Sequence, residues 1–319
     1  MTIRQAAFDP TFISRDTMFI ENGKFVLTLS MNFFKSKRKV SLVLGSGGAR
    51  GLVQIGVIRS LEEKGYEIDE VVGCSIGSLI GAAYVEGKLS NLEEWMRVIT
   101  RRKVFKLMDF TNPKFGLLKG ERVFESLKEI LPDVNIEDMK IPFRAIATDM
   151  ISEKEVIFDK GSVYKAIRAS IAIPAVFTSI ESEDWNLVDG GVINPLPINY
   201  VRRKRRNIII AVNLDGKPDA AYGPYNGAKG LNAISMLQES YFLMRRRLSQ
   251  LSVELYKPDY VINIPHNIAG IWDYDKASFM IEKGIELTEK VVPDAPIKKK
   301  KIPAKIILKG EELKKKEAV

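Results

Sequence analysis

The stretch DEVVGCSIGSLIGAAYVE, residues 69–86, decides the fold and holds the strongest chemical signal of the chain. An apolar run at Val71–Val72 leads into Gly73-Cys74-Ser75-Ile76-Gly77, and apolar residues then recur at helical spacing from Leu79 to Tyr84. This pattern predicts a strand, a sharp turn and a helix. The two glycines permit close approach of strand and helix, and the helix directs its N-terminal amides and positive dipole end toward Ser75, which suits acyl transfer.

A second signal, Gly45-Ser46-Gly47-Gly48-Ala49-Arg50-Gly51, lies between an apolar strand at 39–44 and a helix that begins near Leu52. A glycine-rich turn at such a place presents bare backbone N–H groups, which bind a phosphate or an oxyanion. The spacing Gly-x-Gly-x-x-x-Gly departs from the dinucleotide fingerprint, and no Gly-Lys-Ser/Thr follows as in a phosphate loop. An anion-stabilising turn beside a nucleophile fits this spacing better.

The third signal is an aspartate that follows a short apolar strand, in Trp185-Asn186-Leu187-Val188-Asp189-Gly190-Gly191. The two glycines after the aspartate permit a sharp turn and the close approach of another backbone. Open α/β sheets collect their functional residues at strand ends. Asp189 is therefore a candidate base for Ser75, although Asp-Gly-Gly is also a common turn sequence.

The choice of base is narrow because the chain has a single histidine, His266. Either Asp189 activates Ser75 directly, or His266 completes a Ser75–Asp189–His266 triad in the chain order of α/β-hydrolases. The glycine loop lies only about 25 residues before Ser75 and no His-Gly-Gly-Gly-type segment is present, which favours the dyad. A non-catalytic phosphate- or nucleotide-binding module that uses the 45–51 loop is a third interpretation.

The three motifs together resemble those of patatin-like phospholipases, in the family's order and approximate spacing. The segment from Ala169-Ser170 to Pro174 and Phe177 is similar to one that these proteins carry before the aspartate. The resemblance implies Ser75 as the nucleophile, Asp189 as its general base, and the N–H groups of Gly47 and Gly48 as the oxyanion hole. It implies as supporting positions Gly45, Arg50, Gly51, Gly73, Gly77, Gly190 and Gly191. Cys74 stands where threonine is common in the family.

Strands and helices alternate over residues 39–291, which predicts one α/β layered domain. The resemblance, which spans about the same residues, implies a patatin-like three-layer α/β/α sandwich with a mainly parallel central sheet. We therefore expect an N-terminal leader at 1–38, a patatin-like catalytic domain at 39–291 and a basic C-terminal tail at 292–319. A β-like run from Lys24 is interpreted as an edge strand in the leader. Residues 89–131 read as helices in pieces, which pack into the core or form a wall over the site.

Composition bounds the location and the partners of the protein. The net charge is +9, and residues 298–319, with nine lysines and three glutamates, contribute +6 of it, so the basic balance is largely a property of the tail. Such a tail suits peripheral contact with an anionic membrane surface. Apolar runs fall short of the ~20 residues of a membrane span, and the N-terminus lacks the features of a signal peptide, so we expect a cytoplasmic location. Cys74, the only cysteine, excludes an internal disulfide.

The expected function is hydrolysis of carboxylic esters of lipids, either phospholipids or lysophospholipids, through a Ser75–Asp189 dyad and an acyl-enzyme intermediate. The lipid substrate is implied by the resemblance. An ordinary aspartate, with a pKa near ~3.9, is a weak base toward serine, so burial or a tight hydrogen bond with Ser75 must assist it. We expect no metal, cofactor or nucleic-acid partner, and the sequence leaves the oligomeric state open.

Overall fold

The first described element is an antiparallel hairpin of strands β1 (Thr17–Glu21) and β2 (Lys24–Thr28). The β-like run from Lys24 corresponds to β2, which pairs with β1 in a two-stranded sheet. The hairpin belongs to one unit of the chain, and Lys37–Ala295 form the other. The structure, a computed structural model, describes residues 17–21, 24–28, 38–107, 109, 118–204, 207–223 and 232–296. The tail predicted at 292–319 lies outside the described residues from 297 onward.

An eight-stranded sheet forms the centre of the unit Lys37–Ala295. Its strands are β3 (Arg38–Leu44), β4 (Tyr66–Cys74), β5 (Phe143–Asp149), β6 (Lys154–Phe158), β7 (Ile180–Glu181), β8 (Asn186–Asp189), β9 (Ile208–Gly216) and β10 (Tyr260–Pro265). They follow the order β10-β9-β3-β4-β5-β8-β7, with β6 paired to β5 off this path. Neighbours from β10 to β5 are parallel, whereas β5 pairs antiparallel with β6 and β8, and β8 with β7. The prediction of a mainly parallel sheet is confirmed.

Helices connect these strands and cover the sheet. They are α1 (Val53–Glu63), α2 (Ile76–Val85), α3 (Leu89–Arg97), α4 (Arg101–Leu107), α5 (Glu121–Lys128), α6 (Val163–Ser170), α7 (Ala233–Tyr256) and α8 (Ala277–Val291). In the described part of the chain, no helix combines the length and the apolar character that crossing a bilayer requires.

Side chains that alternate along β3 divide the core into two layers. Val40, Leu42 and Leu44 pack with residues of α1, α2 and α8 on one face. Val43 points the other way and packs with residues that include Val253 of α7. A strand buried on both faces reads as a continuous apolar run, as this one does, and the architecture is the expected three-layer α/β/α sandwich.

Helices α1 and α8 cross at unusually close range. A Cβ atom on Gly56 of α1 would lie 1.9 Å from the carbonyl oxygen of Ile281, and one on Gly284 of α8 would lie 2.0 Å from that of Val53. Only glycine leaves room for the opposite backbone at both positions. This crossing fixes the last helix of the unit against the helix that follows the glycine-rich loop.

Candidate active site

Ser75 lies on the turn between β4 and α2, with backbone angles of φ 56° and ψ −125°. A left-handed φ of this kind is strained for any residue with a side chain. The flanking glycines make the turn possible, because a Cβ on Gly73 would lie 2.4 Å from the oxygen of Gly77 and a Cβ on Gly77 would lie 2.2 Å from that of Leu44. The predicted strand, turn and helix are confirmed, and the turn has the geometry of a nucleophile elbow.

A buried serine of α6 fixes the backbone of this turn. The N–H of Ser75 donates to Ser170 Oγ at 2.8 Å, and Ser170 Oγ donates in turn to the carbonyl oxygen of Ile146 at 2.7 Å. Ser170 is fully buried. The sequence pattern singled out the segment that contains Ser170 but gave it no role. Because the amide of Ser75 is occupied, donors for a developing oxyanion must come from elsewhere.

Ser75 Oγ donates a hydrogen bond to Asp189 Oδ2. Asp189 is 0% exposed, and its Oδ1 accepts the N–H of Gly191 at 2.7 Å and lies 3.5 Å from Ser46 Oγ. Burial raises the pKa of Asp189 above its ordinary range, and Arg245 together with these hydrogen bonds opposes the rise. The burial that a weak aspartate base requires is therefore present.

Strand register brings Asp189 to the level of Ser75. Strands β4 and β5 pair Cys74 with Ile146, and the next residue of β5, Ala147, pairs with Asp189 on β8. Asp189 is the last residue of β8, so it lies at a strand end as the sequence predicts. Strand β8 runs antiparallel to β5, and the register of this pairing sets the position of Asp189.

The carbonyl groups of the glycine-rich loop are held by buried side chains. Gln54 Nε2 donates to the oxygen of Gly45 at 2.8 Å, and Arg245 Nη2 donates to that of Ser46 at 2.8 Å. Arg50 Nε donates to the oxygen of Gly47 at 3.2 Å. These three bonds fix the orientation of successive peptide planes.

The amide groups of Gly47 and Gly48 are left available by this arrangement. The N–H groups of Gly45, Ser46 and Ala49 donate to backbone oxygens of other segments. No acceptor within the described ranges takes the N–H of Gly47 or Gly48. Gly48, with φ 59°, lines the same cavity as Ser75.

Arg50 and His266 form a partly buried contact beside the loop. Arg50 Nη1 lies against His266 Nδ1 and donates to the backbone oxygen of His266 at 3.0 Å. His266 also packs edge-on against Phe242, with 4.8 Å between ring centroids. Burial and the charge of Arg50 lower the pKa of His266 to about 3. None of the contacts recorded for His266 within the described residues reaches Ser75 or Asp189.

Arg245 of α7 is the site residue that sequence reasoning missed. It is 5% exposed and pairs with Asp215 at 3.0 Å, while its Nη1 donates to Ser46 Oγ at 3.1 Å. The sequence shows only a run of three arginines within a helical pattern, at 245–247. No local signal separates the buried member of that run from its neighbours.

An apolar cavity opens beside Ser75. Its walls come from α2, from the helical segment between α3 and α5, and from the loops near Ile173 and Trp272. Both outcomes expected for residues 89–131 occur, because their described apolar side chains pack into the core and also line this cavity. The lining residues are Gly48, Ser75, Ile76, Leu79, Trp95, Met96, Ile99, Val104, Leu107, Leu118, Val123, Leu127, Ile171, Ile173, Phe177, Trp272 and Tyr274. Within the described residues, no group of three or more His, Cys, Asp or Glu side chains is placed to hold a metal ion.

Comparison with known proteins matches the region that holds these motifs. A family model described as patatin-like phospholipase covers residues 42–202, half of the chain. An NTE family protein of Mycobacterium tuberculosis is 39% identical over 181 residues, which make up 57% of this chain and 50% of that protein. Patatin-like phospholipase domain-containing protein 6 of Homo sapiens is 29% identical over 227 residues, 69% of this chain and 16% of that protein. The aligned region thus spans at most half the length of these relatives.

Among solved structures, VipD from Legionella pneumophila aligns with 85% of this chain and 70% of its own, at 10% identity and a TM-score of 0.38. The family model carries the assignment, because it covers half of the chain and includes the glycine-rich loop, the serine elbow and Asp189. The chain therefore belongs to the patatin-like phospholipase family, whose members are lipid acyl hydrolases.

Proposed function

We propose that the chain is a serine hydrolase that cleaves carboxylic esters of lipids, with Ser75 as the nucleophile and Asp189 as the general base. The observation that carries the proposal is the hydrogen bond from Ser75 Oγ to Asp189 Oδ2 at the end of an apolar cavity. A nucleophile bonded to its base and placed beside an apolar channel is the arrangement that attack on an acyl chain's ester requires.

The reaction proceeds in two steps. Ser75 Oγ attacks the ester carbonyl carbon while its proton passes to Asp189, and collapse of the tetrahedral intermediate expels the alcohol, which takes that proton. In the second step, water gives a proton to Asp189 and attacks the carbonyl carbon of the acyl-enzyme. Collapse of this second tetrahedral intermediate releases the carboxylic acid and returns the proton to Ser75 Oγ.

The oxyanion of each tetrahedral intermediate is proposed to be bound by the N–H groups of Gly47 and Gly48. Support comes from the free amides of these residues, from the fixed carbonyls around them, and from the position of Gly48 in the cavity wall. The Ser75 amide is excluded from this role by its bond to Ser170. Fixed donors of this kind contribute rate because they need no reorganisation during the reaction.

The dyad is favoured over the Ser75–Asp189–His266 triad. His266 is engaged by Arg50, and its low pKa leaves it a poor proton acceptor at neutral pH. The phosphate- or nucleotide-binding alternative fits less well, since the cavity beside the loop is lined almost entirely by apolar side chains.

The broader setting of this activity is also a proposal. Phospholipids or lysophospholipids are the proposed substrates, residues 39–291 the catalytic domain, and residues 1–38 and 292–319 its leader and basic tail. The location proposed is cytoplasmic, with peripheral contact with the inner face of a membrane. The basic tail, +6 over residues 298–319, supports attraction to anionic lipid.

Hydrolysis of a short p-nitrophenyl ester tests the proposal. Ser75→Ala and Asp189→Asn should each lose activity by at least about a thousandfold, whereas His266→Gln should keep most of it. A fluorophosphonate probe should label the wild type and leave Ser75→Ala unlabelled. Full activity in folded Ser75→Ala would end the proposal, and a His266→Gln variant as inactive as Ser75→Ala would establish the triad.

A further inference from the structure

We propose that Arg245, on α7, is a positioning residue for Asp189: it acts through Ser46 and supplies the positive charge that keeps Asp189 a carboxylate. The inference deepens the proposed function and rests on it. Arg245 follows the end of the family match at residue 202 and is far in sequence from all three motifs.

A continuous set of hydrogen bonds joins Arg245 to the candidate base. Arg245 Nη1 donates to Ser46 Oγ at 3.1 Å, and Ser46 Oγ lies 3.5 Å from Asp189 Oδ1, at the limit of a hydrogen bond. Arg245 Nη2 also donates to the backbone oxygen of Ser46 at 2.8 Å. One guanidinium group therefore holds both the side chain and the peptide plane of the residue that separates it from Asp189.

Ser46, which Arg245 contacts, lies next to both the base and the first proposed oxyanion donor. Its carbonyl is followed directly by the amide of Gly47, the first proposed oxyanion donor. Its hydroxyl also lies where a Cβ on Gly191 would meet it at 2.7 Å, so this part of the site has no spare room. Through Ser46, Arg245 thus helps to position both Asp189 and the amide of Gly47.

Arg245 is the charged group among those that face Asp189. The others within the described residues are the thiol of Cys74, whose sulfur lies 4.0 Å from Asp189 Oδ1, and the phenols of Tyr241 and Tyr274. Burial raises the pKa of all three groups, so they stay neutral near pH 7. Among these groups, the Arg245 cation is therefore the one that favours the ionised form of the buried Asp189 carboxyl.

Asp215 compensates the charge of Arg245 without facing the base. It is 1% exposed, lies at the end of β9, and pairs with Arg245 at 3.0 Å. A substitution of Asp215 therefore offers a second way to change the positive charge that acts on Asp189. Removal of the Asp215 charge should strengthen the effect of Arg245 on Asp189, whereas removal of the Arg245 charge should abolish it.

The test is the pH dependence of kcat/KM for a short p-nitrophenyl ester. Product is measured at the isosbestic wavelength of p-nitrophenol and p-nitrophenolate, where the absorbance does not change with pH. Activity requires the carboxylate form of Asp189, so loss of a nearby positive charge should move the acid limb of the profile to higher pH. Arg245→Met should move it by about one pH unit, a tenfold loss at pH values on that limb. Arg245→Lys should stay near the wild-type position, and Asp215→Asn should move the limb to lower pH.

Matched variants keep the test decisive. Arg247→Met removes an exposed arginine of the same helix, two residues away, and should leave the profile unchanged. Arg245→Met leaves Asp215 as an unpaired buried charge, so Arg245→Met/Asp215→Asn provides a neutral pair if the single variant does not fold.

An equal loss of activity at every pH, with an acid limb at the wild-type position in Arg245→Met and in the double variant, would reduce Arg245 to a structural role and overturn the inference. An upward shift in both would support it. Failure of the proposed function would show separately, as full activity in folded Ser75→Ala, whatever the Arg245 variants do.

Discussion

The strain at Ser75 can be measured by comparing two inactive variants, Ser75→Ala and Ser75→Gly. Both lose the hydroxyl that bonds to Asp189, and they differ only in the Cβ atom. A residue with a Cβ held at φ 56° and ψ −125° costs about 2 kcal/mol, within the range of 1–3 kcal/mol for sparsely populated backbone regions. Glycine removes that cost.

Two effects oppose the gain and must be separated from it. Glycine increases the conformational entropy of the unfolded chain, at a cost of about 0.7 kcal/mol, and it buries one methyl group fewer than alanine. Ser78, the third residue of α2 and fully buried, offers a matched control with the same chemical changes at an ordinary helical backbone. There the glycine variant should be less stable than the alanine variant by about 1 kcal/mol.

The difference between the two sites isolates the backbone term. Urea unfolding of the four variants should give a glycine-minus-alanine stability that is about 2 kcal/mol more favourable at Ser75 than at Ser78. The Ser75→Gly variant should also melt above Ser75→Ala, by about 2 °C for a chain of this size. Equal glycine-minus-alanine differences at the two positions would refute the claim that the elbow stores strain.

The structure also predicts the effects of three other substitutions. Gly56→Ala should lower the free energy of unfolding by about 3 kcal/mol, because the new Cβ would lie 1.9 Å from the carbonyl oxygen of Ile281. Leu79→Trp, in the cavity wall, should lower kcat/KM for long-chain esters more than for short ones. His266→Gln should reduce the stability that the protein loses in acid. Burial and Arg50 lower the pKa of His266 to about 3 in the folded protein. As the pH falls below about 6.5, the unfolded chain therefore binds a proton at His266 that the folded chain does not, and the wild type loses stability. Between pH 6.5 and pH 5 the wild type should lose about 2 kcal/mol more than the variant.

Each of these has its own control. Gly161→Ala places a Cβ in open space at φ 76°, and should cost only about 1 kcal/mol, so an equal cost at Gly56 would contradict the close-crossing argument. For Leu79→Trp, an equal loss on all chain lengths would point to damage at the elbow rather than to a filled cavity. Parallel pH–stability curves for the wild type and His266→Gln would show that His266 is not held neutral in the folded protein.

The parts of the site that could be predicted are the motifs formed by residues adjacent in the sequence. The elbow around Ser75, the loop 45–51 and the turn after Asp189 each combine a strand ending with small residues, and a strand that ends in glycines has few ways to continue. The mainly parallel sheet was implied by the family resemblance and is present. The hydrogen bond between Ser75 and Asp189 was expected from the resemblance and is present.

The parts that escaped prediction depend on pairings between distant segments. The bond from Ser170 to the Ser75 amide spans 95 residues, and that from Arg245 to Ser46 spans 199. The antiparallel direction of β8 was missed for the same reason, because a four-residue strand carries no signal of its orientation. His266 directly follows β10, as a triad base would, and only the folded chain reveals that Arg50 contacts it.

The order of strands in the sheet has a consequence for anyone who trims this protein to its most recognisable part. Strand β9 lies between β10 and β3, and it pairs with Val40 to Leu44 although it begins at Ile208, beyond the family match. A fragment that stops at residue 202 would leave β3, whose inner residues are buried on both faces, with a bare hydrogen-bonding edge in water. Such an edge is a template for another chain, so the fragment would self-associate rather than act as a smaller enzyme.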